Sequence, residues 1–358
     1  MQTVRIGIRQ FTILVILYTI GTSILIIPSG LAIAAKQDAW IAAVAGTCIG
    51  VGLAWFYGIL GNMLPGLAPV QYCKVVFGKW LGGLAAIWYI LFTFILTALV
   101  TRNLGDFLIT EILPDTPIQF IHLLILMLVV LAVRLGPETI ARTAEIFSPW
   151  VMLFGILLIT LLLPKIEMQR IMPVFEMGFK GVMRGAFTLI GTPFLELFLL
   201  LSIFPSKKGN IQAFVIGCLI AGLLLLIVSS LAILVLGADL TARQIYPTFT
   251  LAKKISIGDF LQRLEVILSV MWFITIFFKI TLCFYATVQG ISQLLSLSDY
   301  RAITLPLGMV LLSLSIIAYP NTPYFMHFFA VVWMPYALTV GFLLPLLLIA
   351  TAKLRGVK

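Results

Sequence analysis

Apolar residues in this chain neither alternate nor mark a single helical stripe. They run in ten long blocks, near 10–34, 39–60, 82–110, 117–134, 146–163, 183–204, 210–236, 264–293, 302–319 and 328–351. A block of about 20 apolar residues crosses a hydrocarbon layer of about 30 Å as a helix, which satisfies its own backbone where water is absent. The pattern therefore predicts an all-α integral membrane protein with ten transmembrane helices. Two longer and more polar separators, 164–182 and 237–263, are expected on the outer face, each with a short helix over the outer mouth. Division after the fifth block leaves 1–163 and 183–358 with five blocks each, and an odd number per half forces the second half to insert upside down. The expectation is one transmembrane domain, 1–358, built as a 5+5 inverted repeat.

Two blocks are interrupted at matching places. The first holds Ile20, Gly21 and Thr22 with Pro28 beyond them, and the sixth holds Ile190, Gly191, Thr192 and Pro193. Glycine lowers helix propensity, while proline deletes a backbone donor and disfavours helix at the residue before it. Helices 1 and 6 are thus expected to be discontinuous. Glycine and proline are also common in membrane helices as packing or kinking residues. Two breaks in corresponding positions nevertheless point to a midplane binding site, because loosened backbone is tolerated in a bilayer only inside protein or along a wet cavity. The half-helix starting after Ser23 would offer amides to a carboxylate, and the carbonyls ending the half before it would suit an ammonium group.

Composition agrees with the pattern: 62% of the residues are hydrophobic, 10% are charged, and the mean hydropathy is +1.17. The net charge of +10 reports topology, since Arg5, Arg9, Lys74, Lys79, Arg134, Arg142, Lys207, Lys208, Arg301, Lys353, Arg355 and Lys358 share the side of the termini. That side is expected to be cytoplasmic, and no basic tract suggests nucleic acid. The first block lacks a small-residue cleavage site, so it is expected to remain as a span. Cys48, Cys218 and Cys283 inside blocks and Cys73 between them have no disulfide or metal-site spacing and read as packing residues. His122 and His327 stand alone near block ends and read as interfacial. Neither a cofactor nor a metal is expected, and no enzyme motif is present.

Glu196 lies one turn beyond Pro193 and Lys279 lies within the eighth block. Charges are costly in such places, so both are candidates for coupling or gating, with a purely structural partner as the rival account. Tyr89, Thr93 and Thr97 make one face of the third helix, and Phe278, Thr281 and Tyr285 one face of the eighth. Such hydroxyls and rings suit a small zwitterion, although they also glue helices together. At about 100° per residue Lys279 and Thr281 point nearly opposite ways, so both cannot face one cavity in a regular helix.

Gly21-Thr22-Ser23-Ile24-Leu25 running to Pro28 resembles the first-span signature of the amino acid–polyamine–organocation transporter superfamily. More narrowly, Tyr246-Pro247-Thr248, the run Asp259 to Glu265, Trp272 and Lys279 are similar to the approach to the eighth span in the spore germination permease family, the B subunits of nutrient germinant receptors. Gly191 through Glu196 resembles that family's sixth-span break. The resemblance implies residence in the spore inner membrane and partnership with an A subunit bearing soluble domains and a C lipoprotein. It also implies recognition of a small nutrient such as an amino acid, with Gly21, Thr22, Gly191, Thr192, Thr281 and Tyr285 lining the pocket; Ser23, Thr93 and Thr97 join them from the residue pattern. Some cation-independent relatives keep a lysine in the fifth span. Here Glu145, Ser148 and Pro149 precede an apolar run instead, which weighs against proton-coupled transport. The rivals to a receptor subunit are a secondary amino acid transporter and a scaffold or ion or water conduit.

Overall fold

The computed structural model describes residues 6–255 and 264–356, and each of the ten apolar blocks falls on helix there. The first block is two helices, α1 (Ile8–Ile20) and α2 (Ser23–Ala35), followed by α3 (Ala39–Met63), a short α4 (Pro69–Phe77) and the long α5 (Lys79–Glu111). Next come α6 (Ile118–Leu135) and α7 (Pro137–Leu162). The sixth block begins as α8 (Gly178–Leu189), passes through a π turn (Ile190–Phe194) and ends as a 3₁₀ helix (Leu195–Ile203). α9 (Asn210–Leu236), the short α10 (Ala238–Arg243) and α11 (Pro247–Lys253), α12 (Leu264–Leu294) and α13 (Arg301–Ile317) complete the set before the last helical stretch, Thr322–Leu354, which contains two π turns. The quoted residues Asp259 to Arg263 lie outside the described residues.

α7 starts well before its apolar block. Gly136 and Pro137 open it, Glu138 sits in its first turn, and the helix runs through polar residues before reaching the predicted start near 146. Hydropathy marks where lipid begins, and a helix need not begin there.

The interior is built from α1, α2, the sixth stretch and α12. In their most apolar windows 89% of Gly178–Ile203 and 83% of Leu268–Leu294 is buried, against 17% of Pro137–Lys165, so the first two are central and α7 faces outwards. α1 packs on α9, α12 and α7, α3 on α8 and α9, and α5 on α12. Lipid tails are as apolar as leucine, so close packing rather than water exclusion holds these helices. At Gly50 of α3 an added Cβ would lie 2.4 Å from the Phe194 ring, which is how the broken sixth helix sits tightly against its neighbour.

Prolines inside helices leave the carbonyl four residues earlier without its α-helical donor. Hydroxyls fill three such places. Thr248 of α11 donates to Ile24 O, which Pro28 leaves open; Ser148 donates to Glu145 O at 3.3 Å below Pro149; Tyr57 donates to Gly341 O at 2.6 Å below Pro345. The outer segment expected to lie over the mouth therefore bonds directly to the backbone of α2.

The segment 164–182 is held by the α2–α3 joint. The buried Asp38 carboxylate accepts from the amides of Phe175 at 2.6 Å and Met177 at 3.3 Å, while Gln37 donates to Pro173 O at 3.0 Å and to the Glu176 carboxylate. Two side-chain expectations need correction. His122 is fully buried, not interfacial, with Nδ1 2.9 Å from Ser315 Oγ, because α6 turns that face towards α13. Cys48 is exposed on the outside of the bundle, whereas Cys73, Cys218 and Cys283 are buried.

Candidate functional site

α1 stops where Gly21 takes φ +22° and ψ −126°, a conformation that disfavours side chains; its amide bonds Leu17 O at 3.0 Å. Space forbids a side chain as well, since a Cβ would lie 2.6 Å from Lys279 Cδ and 2.8 Å from Tyr18 O. The chain re-enters helix at Ser23, with the Leu25 amide on Thr22 O at 3.1 Å. In the sixth stretch Thr192 is extended, φ −143° and ψ 117°, between two helical pieces. Both predicted breaks are present.

One ion pair joins them. Lys279 Nζ lies 2.7 Å from Glu196 Oε2, with both side chains essentially inaccessible (0% and 1%). Lys279 stands at the middle of α12, about 22 Å from either helix end at 1.5 Å per residue. Its ammonium also lies 3.4 Å from Thr22 Oγ1 and 5.3 Å from the centre of the Tyr18 ring. Glu196 accepts from Thr192 Oγ1 at 3.0 Å on one oxygen and from the Tyr18 phenol at 3.4 Å on the other. Thr192 in turn receives the Trp333 indole N–H at 2.8 Å. Burying two charges is tolerable only when they are paired and further bonded, and this pair is. Among the described residues it is the one fully buried ion pair, since Arg102–Asp106, Arg170–Glu167 and Lys253–Glu111 retain exposure.

The sequence-derived residues divide into two groups. Gly21, Thr22, Thr192, Glu196 and Lys279 meet at this centre. Ser23 adjoins it, buried, and its hydroxyl has no hydrogen-bond partner within the chain. Gly191 faces Met334 of the last stretch. The remaining hydroxyls have other bonds: Thr93 donates to Ile90 O at 3.0 Å and receives Thr287 at 2.9 Å, Thr97 donates to Thr93 O at 2.6 Å, and Thr281 donates to Phe277 O at 2.7 Å. Tyr285 lies edge-on to Tyr300 at 5.8 Å. Thr281 and Tyr285 thus sit on a face of α12 other than that of Lys279.

Two residues of the centre, Tyr18 and Trp333, are not among the sequence-derived candidates, and Cys283, read above as a packing residue, joins them. Cys283, 3.5 Å from the Tyr18 hydroxyl, and Thr287 continue the Lys279 stripe at i+4 and i+8, so helical spacing contained that signal. Trp333 comes from a block whose sequence gave no reason to place it there.

Discontinuous helices meeting at a charged centre inside an apolar bundle define the class of secondary-transporter folds. The chain superposes on such proteins. It matches Mhp1, a nucleobase-cation-symport-1 family transporter in a closed conformation with bromovinylhydantoin bound, with TM-score 0.73 at 12% identity over 99% of this chain and 79% of that one. It matches MhsT in complex with L-phenylalanine with TM-score 0.65 at 15% identity over 99% of each chain. Within that class the chain belongs to the spore germination protein family, whose model matches residues 5–344. It is 33% identical to spore germination protein KB of Bacillus subtilis (strain 168) over 322 residues, 88% of this chain and 86% of that protein. It is 26% identical to spore germination protein YndE of the same organism, over 81% of each. The family expected from α1 and the approach to α12 is the one found. The chain is a multi-pass membrane protein with a transporter fold, and it is not an enzyme.

Proposed function

We propose that this chain is the B-type subunit of a nutrient germinant receptor, which binds a small nutrient, foremost an amino acid, between its broken helices and signals to partner subunits that trigger germination. The observation that carries this is the buried Lys279–Glu196 pair spanning both breaks, because charge at the centre of an apolar bundle marks a functional site. Kinship with germination proteins supports the setting, namely the spore inner membrane, cytoplasmic termini, and A and C type partners. The two halves are proposed to act as inverted repeats whose relative tilt is the signal. A ligand biases such a tilt only by its difference in affinity for the two states. Replacing Gly21 with leucine puts side-chain atoms where Lys279 and Tyr18 O now lie. Spores carrying Gly21→Leu are expected to lose the nutrient response, scored in spores in which immunoblotting finds the protein in the membrane. An intact response overturns the proposal.

A second reading, secondary transport of the same ligand, is favoured by the fold shared with transporters. Uptake of labelled amino acid into proteoliposomes that Glu196→Gln abolishes would establish it; binding without uptake would leave the receptor.

A further inference from the structure

Resting on the binding reading above, we propose that Lys279 and Glu196 are the two charge partners of the ligand, and that their mutual ion pair opens by exchange when a zwitterion enters. The centre is electrically neutral because one ammonium meets one carboxylate at 2.7 Å, and no third charged side chain pairs with either among the described residues. A ligand with a single charge would leave one of the three charges unpaired in a medium that does not solvate it. A zwitterion brings one charge of each sign. Its carboxylate takes Lys279, its ammonium takes Glu196, and every charge is paired before and after; no bond or proton moves.

The surroundings orient the exchange. Lys279 Nζ lies 3.4 Å from Thr22 Oγ1, at the start of α2, where the first amides of the helix and the unpartnered Ser23 hydroxyl favour a carboxylate. Glu196 lies between the Thr192 hydroxyl and the Tyr18 phenol, beside the last turn of α1, whose carbonyl end favours an ammonium group. The lysine stem runs along Gly21, where the lack of a side chain leaves it room, and a four-carbon stem has the freedom to swing. The pair is in effect a resident zwitterion holding the place of the incoming one. Selectivity for amino acids over amines and acids follows from charge balance, before any contact with the ligand side chain.

The test uses the full chain purified in detergent and thermal-shift titration. Twenty amino acids are screened, and the best binder is compared with its decarboxylated amine and its deaminated acid. The wild type is expected to prefer the amino acid at least tenfold over either fragment. Glu196→Gln is expected to move the ratio at least tenfold towards the acid, and Lys279→Met at least tenfold towards the amine. The double variant, which stays neutral and keeps the volume filled, is expected to lose the preference, and it decides the matter if the single variants do not fold. Wild-type ratios in the folded single variants, or wild-type amino acid affinity in the double variant, overturn the exchange. If Gly21→Leu abolishes binding in that same case, the binding reading stands without it. A wild type that none of the twenty stabilises overturns the binding reading itself.

Discussion

Lys279 and Glu196 are each costly alone and tolerable together, which makes the stability of single and double replacements unequal. Removing one partner of a buried pair leaves an uncompensated charge and costs about 3–5 kcal/mol, whereas replacing both with groups of similar volume is often neutral. Lys279→Met is therefore expected to lower the thermal midpoint of the purified protein steeply, and adding Glu196→Gln to restore most of the loss. Equal destabilisation by the single and double replacements would show that the two charges do not depend on each other. Both residues were visible in the sequence as charges inside apolar blocks, Glu196 one turn beyond Pro193 and Lys279 at the middle of the eighth. Their pairing was not, because 83 residues separate them and the geometry that joins them belongs to the breaks. Thr281 and Tyr285 show the opposite limit: their helical spacing was legible, but spacing says nothing about which face of α12 turns towards the breaks.

For whole elements, length and hydropathy sufficed to place all the apolar blocks on helix, since a chain crossing lipid has few other ways to satisfy its backbone. The two breaks were legible for the same reason, glycine and proline being defects in that ladder. The 3₁₀ winding of Leu195–Ile203 was not, because a nine-residue stretch that is apolar but for Glu196 and Ser202 reads equally well as an α-helix. Repair of proline defects by hydroxyls from distant elements was also hidden. Tyr57 illustrates its worth, since its phenol reaches Gly341 O at 2.6 Å and Leu195 O at 3.4 Å, tying α3 to the last stretch and to the element after the sixth-helix break. Tyr57→Phe keeps the ring packing on Phe198 and Phe214 but leaves the buried carbonyls short of a donor, a loss of about 1–3 kcal/mol. A thermal midpoint several degrees lower is the expected outcome, and an unchanged midpoint would mean that the two carbonyls are served by other donors.

For the molecule as a whole, side chains that bond backbone across elements tie segments together at both ends of the bundle. On the face of the long segments, Asp38 and Gln37 hold residues 173–177 against the α2–α3 joint. On the opposite face, Lys74 of α4 donates to Gln293 O at 2.9 Å and Leu294 O at 3.1 Å, closing the end of α12, and Arg355 donates to Val76 O at 2.8 Å from the last helix. α4 is thus the clasp of that face, and Cys73 within it is a built-in reporter. Burial pushes the Cys73 thiol up to about 12 from its ordinary 9.0. At pH 8 only roughly one such thiol in 10⁴ would be the reactive thiolate. N-ethylmaleimide is expected to spare Cys73 in the folded protein at pH 8, to react rapidly once detergent denatures it, and to gain about tenfold in rate per pH unit above that in between. The sign for stability follows: the folded value lies above the unfolded one, so the contribution of this group is complete below pH 9 and drains away as the pH rises towards 12, where the unfolded chain releases the proton and the folded chain keeps it. Peptide mapping of the label separates Cys73 from the exposed Cys48. Rapid labelling of Cys73 at pH 8 would mean that α4 does not stay packed against the ends of α12 and the last helix in solution.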